Sequence, residues 1–135
     1  MTNYDLLIKE AIAARNISHS PYSHFAVGAA LLAVDGTVYT GCNVENASFT
    51  PTCCAERVAF FKAVSQGVKK FQKIAIVGAP ADREPDKFIM PCGVCRQVML
   101  EFCDDDFEIL VTDGNEIKSY RLGDIMPGAF RLDTV

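Results

Sequence analysis

The sequence predicts an α/β fold in three layers, α/β/α, around a five-stranded mixed sheet, and three observations carry that reading. Helical spacing of apolar residues in three segments alternates with five short β-prone runs, in the order α-β-β-α-β-α-β-β. The first two β-prone runs are joined by a tight turn signal, as in an antiparallel hairpin, whereas the next connections are helical crossovers, which give the sheet its parallel component. With 135 residues, half of them apolar, the chain has room for one domain, residues 1–135, and none for a second core.

The first helix is expected over residues 3–16, opened by the capping-box-like Thr2-x-x-Asp5, with Tyr4, Leu7, Ile8, Ala11, Ala14 and Arg15 at helical spacing. Residues 26–34 and 37–44 read as a hairpin across Asp35-Gly36, a pair suited to a type I′ turn, and Gly28 and Gly41 mark close approach or bulges. Residues 52–66 turn helical, with Val58, Phe61, Ala63 and Val64 among the apolar positions and Gly67 as the stop. A strand over 71–77 follows, and the acidic, proline-bearing stretch 80–87 reads as an exposed loop. Pro91 then opens a helix to about residue 102, since a proline costs nothing in a first turn. Strands at 107–112 and 117–122 flank the turn Asp113-Gly114-Asn115, and the tail Pro127-Gly128-Ala129-Phe130 is irregular.

Composition narrows the function classes. A formal charge of −4 and a pI of about 5.1 leave no basic surface to neutralise phosphates, so extended nucleic acid is not an expected partner. The N-terminus has neither a basic nor an apolar leader region and no apolar run reaches membrane-spanning length, so the expectation is a cytoplasmic protein without membrane association. In that compartment Cys42, Cys53, Cys54, Cys92, Cys95 and Cys103 stay reduced, which points to metal or redox chemistry for those that cluster. Cys42 and Cys103 read as buried inert thiols.

Cys54-Ala55-Glu56 and Pro91-Cys92-Gly93-Val94-Cys95 each begin a predicted helix. Unpaired N–H groups and the positive dipole end there favour thiolate over thiol, the form a metal requires. Cys92 and Cys95 project from one helical face, so one turn supplies two ligands and the other helix supplies Cys54. Three protein ligands on Zn²⁺ leave one position open to water, the arrangement of a catalytic site. Glu56, two residues beyond Cys54, can sit beside the metal without occupying it and move protons to and from that water. Cys53 is the competing thiol, but only Cys54 leaves a single residue before Glu56, and a one-residue shift turns the ligand about 100° around the helix. Two rivals remain open: a structural zinc module closed by Cys42 or Cys53 as fourth thiolate, and a redox dithiol at Cys92 and Cys95. A ligand followed two residues on by Glu, then Pro-Cys-x-x-Cys, is the signature of zinc deaminases. Asn43 and Glu45, two apart at a strand end, share a face and can both hydrogen-bond sugar hydroxyls; a Glu in an otherwise apolar strand needs a partner.

The residues 21–30 (PYSHFAVGAA), 41–47 (GCNVENA), 54–57 (CAER) and 91–97 (PCGVCRQ) are similar to the small, homo-oligomeric cytidine deaminases of nucleoside salvage, over nearly the whole chain. That resemblance implies a cytidine deaminase-like fold with one Zn²⁺ per subunit, and zinc-dependent hydrolytic deamination of cytidine and 2′-deoxycytidine to uridine and 2′-deoxyuridine with release of ammonia. It implies Glu56 as the proton-transfer residue, Arg57 as donor to the ligand thiolates, and substrate contacts from Phe25, Asn43, Glu45, Ala55 and Phe130. Phe25 is expected to stack on the pyrimidine and Asn43 and Glu45 to hold the ribose 3′-hydroxyl. Phe130 is expected to reach a neighbouring subunit's site, with a homotetramer whose active sites lie at subunit interfaces. The alternative within the resemblance is a deaminase of a related aminated heterocycle, such as a nucleoside antibiotic. Phe49 departs from the pattern, standing where many members carry tyrosine, and removes a hydroxyl.

Overall fold

The computed structural model describes residues 3–132. Its elements run α1 (Asn3–Arg15), β1 (Phe25–Ala33), β2 (Val38–Cys42), α2 (Ala55–Ser65), β3 (Phe71–Pro80), α3 (Gly93–Phe102), β4 (Glu108–Thr112) and β5 (Ile117–Arg121), with a 3-10 turn at Leu122–Ile125. The sheet order is β2-β1-β3-β4-β5, with β3 and β4 parallel and the other neighbours antiparallel. The expected element order and mixed five-stranded sheet are therefore present.

Alternation along the central strands builds the layers. Ala30, Leu32, Ala75, Val77 and Leu110 face Leu7, Ile8 and Ala11 of α1. Ala29, Leu31, Ile74, Ile76, Ile109 and Val111 face the other way, onto α2 and α3. Strands covered on both sides read as continuous apolar runs, which is why β1 and β3 do. Phe60 anchors α2 in the larger layer, with ring centroids 5.0 Å from Phe71 and 6.1 Å from both Phe102 and Phe107. Each such pair contributes about 0.5–1.5 kcal/mol beyond simple burial.

Gly28 and Gly41 are the close approaches expected of them. A Cβ on Gly28 would stand 1.9 Å from Ala11 O, and one on Gly41 would stand 2.3 Å from Ala55 O. Helix α1 therefore lies directly on β1, and α2 directly on β2.

Four local expectations need correction. The hairpin turn is not type I′: Gly36 has φ 93° but Asp35 is not left-handed, Gly36 N–H donates to Ala33 O (3.0 Å), and Ala33 N–H donates to Thr37 O (2.9 Å). That is a three-residue loop closed by a left-handed glycine, the other geometry that Asp-Gly accommodates. Strand β2 ends at Cys42 rather than residue 44, and α2 starts at Ala55 rather than 52, because Val44 and Cys53 exchange backbone hydrogen bonds (both 2.9 Å) and hold that stretch extended. On α2 it is Phe60 that is buried, while Phe61 is exposed. The Thr2-x-x-Asp5 cap lies outside the described residues.

Arg15 ends α1 as a buried guanidinium. Nε donates to Ala26 O (3.2 Å), and Nη2 to Ala79 O (3.1 Å), Pro80 O (3.0 Å) and Arg83 O (3.2 Å). Carbonyl dipoles rather than a carboxylate balance the charge, and they tie α1 to the neighbouring ends of β1 and β3. Among the described residues no helix is long and apolar enough to cross a membrane.

Candidate metal centre

Cys54 and Cys92 are the N-cap residues of α2 and α3, both with extended backbones (φ −70°, ψ 154° and φ −69°, ψ 169°). The Cys92 sulfur accepts the Cys95 N–H at 3.5 Å, so a thiol does what serine or aspartate usually does at a helix start. Arg96 steadies this corner, donating from Nε to Pro91 O and from Nη1 to Ile125 O, each at 2.8 Å.

The two helix starts converge. Cys54 Sγ lies 3.9 Å from Cys92 Sγ, Cys92 Sγ lies 3.4 Å from Cys95 Sγ, and all three sulfurs fall within 4.8 Å of one another. Thiolates at about 2.3 Å from a tetrahedral zinc stand about 3.8 Å apart, so the trio has the spacing and the soft donors that zinc takes. Among the described residues it is the only such cluster. Neither Cys42 nor Cys53 joins it: the Cys42 thiol points to Ile17 O at 3.6 Å, and Cys53 sits in the paired stretch opposite Val44. Burial raises both thiols above the ordinary range. Cys103, read from the sequence as an inert thiol, is pushed up to about 12 by burial. A closed four-thiolate module finds no fourth sulfur here.

Electrostatics within the trio are asymmetric. Cys54 is held down to about 5, first by the hydrogen bond from Cys95 and then, against burial, by the Arg57 guanidinium, whose Nη2 donates to Cys54 Sγ at 3.3 Å. Cys95 keeps its proton correspondingly tightly. The Nη2 bond ties the guanidinium to the sulfur cluster, while its buried Nε has no hydrogen-bond partner. Glu56 follows in the first turn of α2 and is 4 % exposed. Desolvation pushes its carboxyl up to about 7, and the neighbouring Cys54 charge adds to the effect.

The remaining expected site residues divide. Phe25 is half-buried at the start of β1, paired with Pro80 and on the face toward α2 and α3, with its ring 3.0 Å from where a Gly78 Cβ would be. Ala55 is fully buried at the start of α2. Asn43 is buried just past β2, its Oδ1 accepting from Ser18 Oγ (2.5 Å) and Val27 N–H (2.9 Å) and its Nδ2 donating to Phe25 O (2.8 Å). Glu45 lies beyond the end of β2 rather than within a strand, and its partners come from the loop before β1: Oε1 accepts the Tyr22 and Ser23 N–H groups (3.1 and 3.0 Å) and Oε2 the Ser23 hydroxyl. Tyr22, Ser23, Glu45, Asn46, Phe49 and Thr52 line an open recess of ≈ 360 Å³ that none of the three cysteines borders. Phe130 is 66 % exposed, with its carbonyl accepting from Gln97 Nε2 at 3.4 Å. Sequence reasoning missed Ser18, Ser23 and Arg96 as the groups that hold Asn43, Glu45 and the Pro91-Cys92 corner. No periodic or motif signal singles out a serine in a loop.

The family described as "Cytidine and deoxycytidylate deaminase zinc-binding region" matches residues 1–111. A cytidine deaminase of Sporosarcina psychrophila is 49 % identical over 92 % of this chain and 88 % of its own length. One from Halalkalibacterium halodurans is 46 % identical over 95 % of this chain and 94 % of its own. The crystal structure of cytidine deaminase from Burkholderia pseudomallei superposes with a TM-score of 0.86 at 44 % identity, covering 96 % of this chain and all of that one.

Proposed function

The chain belongs to the cytidine and deoxycytidylate deaminase family, and from that premise we propose that it hydrolyses cytidine and 2′-deoxycytidine to uridine and 2′-deoxyuridine, releasing ammonia, in pyrimidine salvage. The observation that carries the reading is the meeting of three sulfurs from two helix starts, with a buried glutamate in the first turn of α2.

Cys54, Cys92 and Cys95 hold zinc, which when bound supplies a Lewis acid that makes water nucleophilic near neutral pH. Glu56 takes a proton from the attacking water, delivers it to the pyrimidine N3, and passes the next to the departing amine, so that water provides the new oxygen and ammonia leaves. Three thiolates give the centre surplus negative charge, and the Arg57 hydrogen bond to Cys54 draws part of it off. Phe25 stacks on the base, Ala55 contacts it at the start of α2, and Asn43 and Glu45 hold the sugar 3′-hydroxyl. One amide hydrogen of Asn43 stays free beyond its three bonds, which supports that role.

The assembly we propose is a homotetramer in the cytoplasm, with Phe130 entering a neighbouring site. Exposed Phe49, Phe61, Val94 and Phe130 supply apolar surface for such contacts.

Glu56→Gln tests the assignment. The carboxamide keeps the shape but cannot cycle a proton, so zinc content should stay at wild-type level while kcat falls about 10²- to 10⁴-fold. A fully active Gln variant overturns it.

A further inference from the structure

Ser23 connects two parts of the substrate site. Its hydroxyl donates to Glu45 Oε2 and accepts the Phe25 N–H at 3.0 Å, while its own N–H donates to Glu45 Oε1 at 3.0 Å. The one donor of this hydroxyl thus goes to the carboxylate proposed to read the sugar, and one of its two acceptor sites to the backbone of the ring proposed to stack on the base. The backbone is bent to achieve it: His24, between Ser23 and Phe25, has φ 57°, the one non-glycine residue in the left-handed region among those described. Such a conformation is unfavourable for a non-glycine residue and persists where the surroundings hold it. Two hydrogen bonds do so, His24 N–H to Ser20 O (3.0 Å) and Ala81 N–H to His24 O (2.8 Å).

The carboxylate itself has a limited number of places. Ionised, it offers about four lone-pair directions. Tyr22 N–H, Ser23 N–H and the Ser23 hydroxyl fill three, leaving one on Oε2. A sugar hydroxyl entering at the remaining direction therefore meets an acceptor whose orientation Ser23 sets. The same hydrogen bonds hold the Glu45 carboxyl below the usual carboxylate range, the Ser23 hydroxyl first among them.

We infer that Ser23 is the positioning residue for sugar recognition: its hydroxyl orients Glu45 toward the nucleoside 3′-hydroxyl and couples that carboxylate to the strand start that carries Phe25. The inference rests on the reading of Glu45 as the sugar's partner, and the test separates the two.

Wild type, Ser23→Ala, Ser23→Thr and Glu45→Gln are assayed on cytidine and 3′-deoxycytidine, with zinc content and Tm measured for each. Wild type should prefer cytidine. Ser23→Ala should lose about tenfold in that preference, mostly through a higher KM for cytidine, at unchanged zinc and a Tm within a few degrees of wild type. Ser23→Thr, which keeps the hydroxyl, should restore it. Should Glu45→Gln abolish the preference while Ser23→Ala leaves it intact, or should Ser23→Ala weaken turnover of both nucleosides equally, the positioning role is overturned and the reading of Glu45 stands. Should Glu45→Gln itself leave the preference unchanged, that reading fails and the inference with it.

Discussion

Gly41→Ala should damage the metal centre from beneath. The new Cβ would stand 2.3 Å from Ala55 O, 2.7 Å from Ala59 N and 3.2 Å from Ala59 Cβ, and backbone atoms cannot rotate away. Reaching ordinary contact near 3.4 Å lifts the first turns of α2 by about 1.1 Å. Ala55 lies between Cys54 and Glu56, so that lift moves one sulfur and the carboxylate together, while Cys92 and Cys95 stay with α3. Metal–ligand distances tolerate only about 0.2 Å, and a reactive group misplaced by about 1 Å costs about 100-fold in rate. Overpacking alone adds about 1–3 kcal/mol of destabilisation, roughly a 4–11 °C fall in Tm for a chain of this size. Gly28→Ala is the control: its Cβ would meet Ala11 O at 1.9 Å, a harder clash, but on the α1 face away from the sulfurs. It should lose at least as much Tm and keep zinc, with kcat within about threefold of wild type. Zinc per chain by metal analysis, kcat/KM on cytidine and thermal melts decide the matter. Wild-type zinc and kcat/KM in Gly41→Ala, or parallel loss of zinc in Gly28→Ala, would refute the placement of α2 as the movable half of the centre.

Arg57→Gln should retain zinc and leave KM for cytidine little changed while kcat drops about 10- to 100-fold, because it removes the cation on the Cys54 sulfur but not a ligand; steady-state kinetics with metal analysis check it. Glu108 tests the α1 face. Burial opposes its charge, but Ser119 Oγ (2.6 Å), the Tyr4 hydroxyl and Lys73 (3.3 Å) outweigh that and hold its carboxyl below the ordinary range. A depressed native pKa means the unfolded chain binds the proton first as pH falls. The stabilisation is therefore present above about pH 4.3 and lost as pH drops through the native value. Glu108→Gln should melt lower than wild type at pH 7, with the gap narrowing in acid; a gap independent of pH contradicts the sign.

The parts of this molecule legible in the sequence are those whose causes are local. Cys54-Ala55-Glu56 and Pro91-Cys92-x-x-Cys95 each sit within one turn of a helix start, so spacing alone orients their side chains, and only the meeting of the two turns requires the fold. Gly28 and Gly41 were legible for the same reason: a missing side chain in a β-prone run has few other uses. What escaped was set by distant backbone. Asp35-Gly36 serves two hairpin geometries, and the Ala33–Thr37 pairing chooses between them. The start of α2 is decided by Val44, nine residues upstream of the Cys53 it pairs with. Phe60 and Phe61 are adjacent on one helix, and the ring that enters the core is the one facing Phe71, Phe102 and Phe107. Arg15 and Ser23 find their partners in loops whose positions no local pattern encodes.

Zinc K-edge X-ray absorption of the purified protein tests the central claim most directly. The account predicts one zinc per chain with three sulfur scatterers at about 2.3 Å and one oxygen or nitrogen at about 2.0–2.2 Å, the position that Glu56 serves. Four sulfurs around the ion, or fewer than three, would contradict it.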